Sequence, residues 1–239
     1  MSVQTSVILN VPEINFAFKS GNRSYSDSAV KAGNVAMLRN IRSNYNTHID
    51  YFGRLFNIPA SLTASFIATE SGGRNVGPNR FSATGLMQIT PDAFYETFSR
   101  RLKTNDVALA EQNLVRRSVA GIQFNERGMT SSVSSIRAAL LVAFQKPEFN
   151  IYAGCLYLDF LIDRFAINSV AQINKVLVGY NAGAYNSVIS SNIAIAIASN
   201  NLVKNALVPK ESRGYLVKIL GIDGYLDLIL KQGLVTFNS

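Results

Sequence analysis

Cysteine and histidine are all but missing from this chain: Cys155 and His48 are the only ones in 239 residues. One cysteine rules out an intramolecular disulfide and any structural metal site built on several thiolates. One histidine rules out HExxH and multi-histidine metal sites on count alone. A Ser-His-Asp or Cys-His hydrolase would have to use His48, and the chain has no nucleophile elbow to serve it. His48 therefore reads as a surface or capping residue, and Cys155, inside an apolar helical stretch, as core packing. No metal and no cofactor is expected, and the chemistry left open is that of carboxylates.

Charge is sparse and one-sided. Charged residues make up 16% of the chain, with 23 Lys/Arg against 15 Asp/Glu, for a net charge of +8. The 48% hydrophobic content argues for a packed body. The basic balance favours an anionic partner: nucleic acid, anionic lipid or an acidic cell-wall polymer. The basic residues lie singly or in pairs (Arg100-Arg101, Arg116-Arg117) and do not interleave with aromatics, so a nucleic-acid partner is not expected. Long apolar runs are also missing. The densest, Ala138–Phe144, has seven residues, so no membrane-spanning helix is expected. The start, MSVQTSVILNVPEINF, lacks a basic stretch followed by a long apolar core, so no secretory signal peptide is expected. A target outside the cytoplasm would then require delivery by something else.

What is present is mostly helical periodicity. Residues 1–33 alternate short apolar pieces with Ser, Gly and Asn and read as an N-terminal arm with one short strand, suited to docking. From Asn34, Val35, Leu38, Ile41, Tyr45, Ile49 and Phe52 mark one helix face. Asn57-Ile58-Pro59 ends it, and Pro59 suits the first turn of the next helix. Ser71–Thr84 is loop by its Gly, Pro, Asn and Ser content, and Thr90-Pro91-Asp92 reads as a cap with proline at the first helical position. Further helices are expected at Ser134–Gln145, Ile151–Phe165, Val170–Tyr180, Val188–Val203, Glu211–Leu220 and Tyr225–Lys231. The fold class is mainly α, with a main domain over 34–222 and a tail over 223–239.

The candidate reactive group closes the helix that begins near Ile58. Ile58, Leu62, Phe66 and Ile67 supply its apolar positions, and it ends in Glu70, followed by Ser71 and two glycines. A carboxylate on the last turn of an apolar helix sits where burial raises its pKa, which suits a general acid. A plain surface glutamate is the competing reading. Between Glu70 and Asp92 there is no other acidic residue.

Five short stretches, in order, resemble the soluble lytic transglycosylase family, whose catalytic domain is similar to goose-type lysozyme. Glu70-Ser71 resembles the family's catalytic ES pair, and GLMQITP at Gly85–Pro91 its GLMQ signature. FNIYAGCLYLDFLIDRF at Phe149–Phe165 resembles its N-I-x-x-G helix. VGYNAGAYNSV at Val178–Val188 resembles its AYNAG block, and PKESRGYLVKIL at Pro209–Leu220 its closing segment. Together they cover roughly residues 50–221. Gly179 and Ser212 are mild departures, whereas Asn79–Thr84 replaces the family's small-residue run before GLMQ. Between Pro91 and Phe149 the chain is longer than the family pattern. This insertion, about 97–147, holds eight Lys/Arg against three Asp/Glu and so supplies +5 of the +8.

The resemblance implies a lysozyme-like domain that cleaves peptidoglycan glycan strands, with Glu70 as the single catalytic acid/base. It implies sugar contacts from Ser71, Met87, Gln88, Tyr180, Asn181 and Glu211. Phe66, Ile67, Met87 and Tyr180 are candidates for the apolar surroundings of Glu70, with plain core packing as the competing reading. The two remaining readings are a hydrolase using water, with Asp92 as base, and a glycan-binding or structural protein on the same scaffold. Without a signal peptide, the expected setting is the cell wall, reached as a virion-associated phage protein or by another delivery system. Residues 1–33 would then dock on a virion or membrane-associated partner.

Overall fold

The computed structural model describes residues 33–167, 173–185, 209–221 and 223–233. The expected strand in the N-terminal arm and the expected helix at Val188–Val203 lie outside the described residues. The described chain is mainly α, with one two-stranded hairpin. It divides into two compact units, one formed by Met1–Thr69 with Leu158–Ser239 and the other by Glu70–Tyr157.

In the first unit, α1 (Gly33–Leu55) follows the sequence period, burying Leu38, Ile41, Ile49 and Phe52 on one face. The next helix, α2 (Ala60–Ser71), is different: every residue from Ser61 to Ala68 is buried. Two of its hydroxyls bond back to its own backbone, while the buried Ser61 Oγ does not. Ser65 donates to the Ser61 carbonyl at 2.8 Å and Thr69 to the Ser65 carbonyl at 2.8 Å, one turn back in each case. Downstream, α7 (Ile173–Ala182) packs on α8 (Lys210–Leu220), and α8 packs on α9 (Tyr225–Gln232). Arg42 of α1 reaches the Gly233 carbonyl just past α9 at 3.3 Å.

The second unit contains α3 (Pro91–Lys103), α4 (Leu109–Ser118), the hairpin β1 (Phe124–Asn125) and β2 (Gly128–Met129), and α5 (Val133–Ala143). It also takes the first half of α6 (Pro147–Arg164). Thr90 caps α3 by accepting from Ala93 N at 3.2 Å, with Pro91 in the first turn, as the sequence predicts. The hairpin pairs Phe124 with Met129 and Asn125 with Gly128. Two-residue strands have no period, so the sequence does not announce them.

The core of this unit is aromatic. Phe94 contacts Phe98, Phe144 and Phe149 at centroid distances of 5.5, 5.9 and 5.3 Å, and Phe98 meets Phe124 edge-on at 5.2 Å. The basic stretch 97–147 therefore supplies core as well as surface: Phe98, Phe124 and Phe144 all belong to it. Among the described residues, no helix is long and apolar enough to cross a membrane.

Candidate active site

Glu70 lies one residue before the end of α2 and is half-buried. Ser71 beside it is buried, and its carbonyl accepts from Arg74 N at 3.3 Å. Gly72 and Gly73 follow at φ +63° and +75°, so the helix stops where only residues tolerant of the left-handed region fit. From there the chain runs through an exposed loop and returns to Gly85.

Gly85–Gln88 is a tight turn closed by reciprocal hydrogen bonds between Thr84 and Ile89, each N–H···O at 3.1 Å. Gln88 has φ +49°, an unusual place for a side-chain-bearing residue, and costs of order 1 kcal/mol there. Its Nε2 donates to the Gly85 carbonyl at 2.9 Å, which holds the amide in one orientation. The turn is gripped from α6. Asn150 is fully buried; its Oδ1 accepts from Met87 N at 2.7 Å and its Nδ2 donates to the Thr84 carbonyl at 2.8 Å.

Gly85 is required by this grip. Its φ is +82°, and a Cβ there would lie 2.2 Å from Asn150 Nδ2 and 2.4 Å from the Phe144 carbonyl oxygen. One helical turn after Asn150, Gly154 makes room for Met87, whose Sδ would stand 2.2 Å from a Cβ at that position. Met87 is buried to 0% exposure, so its side chain packs on α6 and reaches no solvent. Asn150 and Gly154 are the residues that sequence reading left without a role. The available signal was their i, i+4 spacing on an otherwise apolar helix, where a buried amide must find partners.

In the first unit, Tyr180 is half-buried near the end of α7, its ring 4.7 Å from Phe66 of α2. Phe66 also meets Tyr215 of α8 at 5.9 Å. Asn181 accepts from the Ser212 hydroxyl at 2.8 Å, which ties the end of α7 to the first turn of α8. Glu211, in that first turn, is exposed. The local pairing with Arg213 that sequence proximity allows is not formed, and Arg213 Nε is buried without an acceptor.

Thus Ser71, Met87 and Gln88 belong with Glu70 to the second unit, and Tyr180, Asn181 and Glu211 to the first. Asp92, the next acid after Glu70, is 64% exposed and forms a two-pronged contact with Arg137 Nη2 at 2.9 and 3.0 Å. No group of three or more His, Cys, Asp or Glu able to hold a metal occurs among the described residues.

No protein-family model and no curated protein matches this chain. Among solved structures, it is similar to the 70 kDa soluble lytic transglycosylase SLT70 of Escherichia coli, at 22% identity and a TM-score of 0.46. The match covers 80% of this chain and 26% of that one, so this chain spans about a quarter of that protein's length.

Proposed function

We propose that this chain is a peptidoglycan lytic transglycosylase in which Glu70 is the only catalytic carboxylate. The observation that carries the reading is the state of the two acids. Glu70, half-buried, lies on the last turn of a helix buried from Ser61 to Ala68, just before the loop that returns to the Gln88 turn. Asp92 is out in solvent, engaged with Arg137. Glycosidases that use water ordinarily need two carboxylates flanking the scissile bond. A lone acid suits a reaction whose nucleophile belongs to the substrate.

Glu70, protonated, would give its proton to the oxygen between N-acetylmuramic acid and N-acetylglucosamine as the bond from C1 to that oxygen breaks. As carboxylate it would take the proton of the muramic acid C6 hydroxyl while O6 bonds to C1. The product is a 1,6-anhydromuramoyl end, no water is consumed, and Glu70 returns to its starting state. The substrate's N-acetyl group assists at C1 by resemblance to the family. Gln88, with Nε2 on the Gly85 carbonyl, would offer its Oε1 to an acetamido N–H. Tyr180, Asn181 and Glu211 remain the sugar-contact candidates of the first unit. On this reading the chain acts at the cell wall, delivered with a virion or by another system.

Mass spectrometry of digested peptidoglycan tests the proposal. Anhydromuramoyl products are expected; reducing ends would favour the hydrolase and no release a glycan-binding protein. Glu70→Gln should lower the rate by about 10²–10⁴-fold or more with the fold intact. Wild-type activity in that variant would remove Glu70 as the acid.

A further inference from the structure

Eight consecutive residues, Arg74–Phe81, are exposed in the loop that joins Glu70 to the Gln88 turn. At its far end Phe81 stands 67% exposed, with the Arg80 guanidinium 4.6 Å from its ring centroid. A phenyl ring left in water forfeits burial that the core offers elsewhere, so what holds it out matters. Asn79 does so. Its Oδ1 accepts from Phe81 N at 2.8 Å and from Ala83 N at 3.1 Å. Its own N donates to the Ala83 carbonyl at 3.0 Å, and its carbonyl accepts from Ser82 N at 2.9 Å. Ser82 completes the turn at φ +63°. Four hydrogen bonds thus fix the backbone on both sides of Phe81, and the Gly85 N to Val76 carbonyl bond at 2.7 Å ties the loop to the Gln88 turn.

We infer that Phe81 and Arg80 form a glycan-strand subsite: the ring stacks on the apolar face of a sugar, and the guanidinium pairs with the anionic lactyl-peptide substituent of the same strand. This rests on the proposed function and adds to it a substrate contact at the place where the sequence departs from its family pattern. The occupant follows from the chemistry. A flat ring with an adjacent cation fits a pyranose bearing a carboxylate, and Arg74–Phe81 holds two Arg and no acid. Phe81 lies in the segment that links the acid to Gln88, and all three belong to the second unit.

The test uses the full chain, with binding read by co-sedimentation with insoluble peptidoglycan and kinetics on soluble glycan fragments. Phe81→Ala should fold normally, because the residue is exposed. It should weaken binding and raise KM about tenfold while kcat changes little, and Phe81→Tyr should restore both. Arg80→Ala should weaken binding to peptide-bearing strands but not to neutral N-acetylglucosamine oligomers. Unchanged binding and KM in Phe81→Ala, with an active wild type, would overturn this inference and leave the proposed function standing. A wild type that neither binds nor cleaves peptidoglycan would overturn both. Loss of binding to phosphatidylglycerol vesicles with peptidoglycan binding intact would make the ring a membrane contact and overturn the inference.

Discussion

Asn150 uses both ends of its amide on a single turn, and that makes it the residue of the Gln88 turn's surroundings most sensitive to mutation. Its partners, Met87 N–H and the Thr84 carbonyl, are 63 and 66 positions away in sequence. Removing the amide leaves the buried Met87 N–H without this partner, at about 1–3 kcal/mol, and takes from the Thr84 carbonyl one of its two hydrogen bonds, the other being from Ile89 N, at about 0.5–1.5 kcal/mol. Asn150→Ala should therefore lower unfolding stability by about 1.5–4.5 kcal/mol, read from the denaturant midpoint. It should also lower kcat/KM through Gln88, whose φ of +49° depends on the closed turn. A variant with wild-type stability and kinetics would mean that the turn holds itself. Asn150→Asp is the sharper comparison, since it keeps the acceptor for Met87 N–H and replaces the donor to Thr84 with an acceptor.

At the scale of elements, α4 is anchored by charge placed under cover. Glu111, buried, accepts from Arg101 Nη1 at 2.8 Å, from the Tyr152 hydroxyl at 3.2 Å and from Ala108 N at 3.1 Å. These bonds join α3, α4 and α6 in one network, and the last belongs to the start of α4 itself. Burial, reinforced by the Glu111 carboxylate beside it, pushes the Tyr152 hydroxyl well above the usual tyrosine value of 10.0. The folded state then binds this proton more tightly than the unfolded state. Its stability should be flat below about pH 10 and fall as pH rises from there toward the folded value. Denaturant midpoints across pH 8–11, about the range that brackets the free tyrosine value, should show this slope. Tyr152→Phe should flatten it while costing about 0.5–1.5 kcal/mol at neutral pH. An equal slope in wild type and Tyr152→Phe would assign the loss to other groups.

For the whole molecule the governing quantity is the net charge of +8, and among the described residues most Lys and Arg are exposed. Exposed charges act over a Debye length of about 10 Å at 0.1 M salt and about 3 Å at 1 M. Affinity for peptide-bearing peptidoglycan should fall steeply over that range, whereas affinity for neutral N-acetylglucosamine oligomers should hold. Co-sedimentation across a salt series checks this, and a salt-independent affinity would leave the basic surface as solvation alone. The charge does not stand apart from the fold. The stretch that supplies +5 of it also contributes Phe98, Phe124 and Phe144 to the aromatic core of its unit.

Local physics made much of this legible without coordinates. The period of Leu38, Ile41, Ile49 and Phe52 marks α1, and Thr90-Pro91 marks the start of α3. The lone histidine and cysteine, and the absence of an acid between Glu70 and Asp92, are properties of the chain that no packing changes. Tertiary structure alone decided that Asn150 grips the Gln88 turn and that Asp92 faces Arg137. It also decided that Met87 is enclosed and that Phe81, another apolar residue six positions earlier, is held in water. Periodicity and capping act over a few residues and leave their pattern in the sequence. A hydrogen bond between residues 63 apart leaves no such pattern, because only the folded chain brings its two ends together.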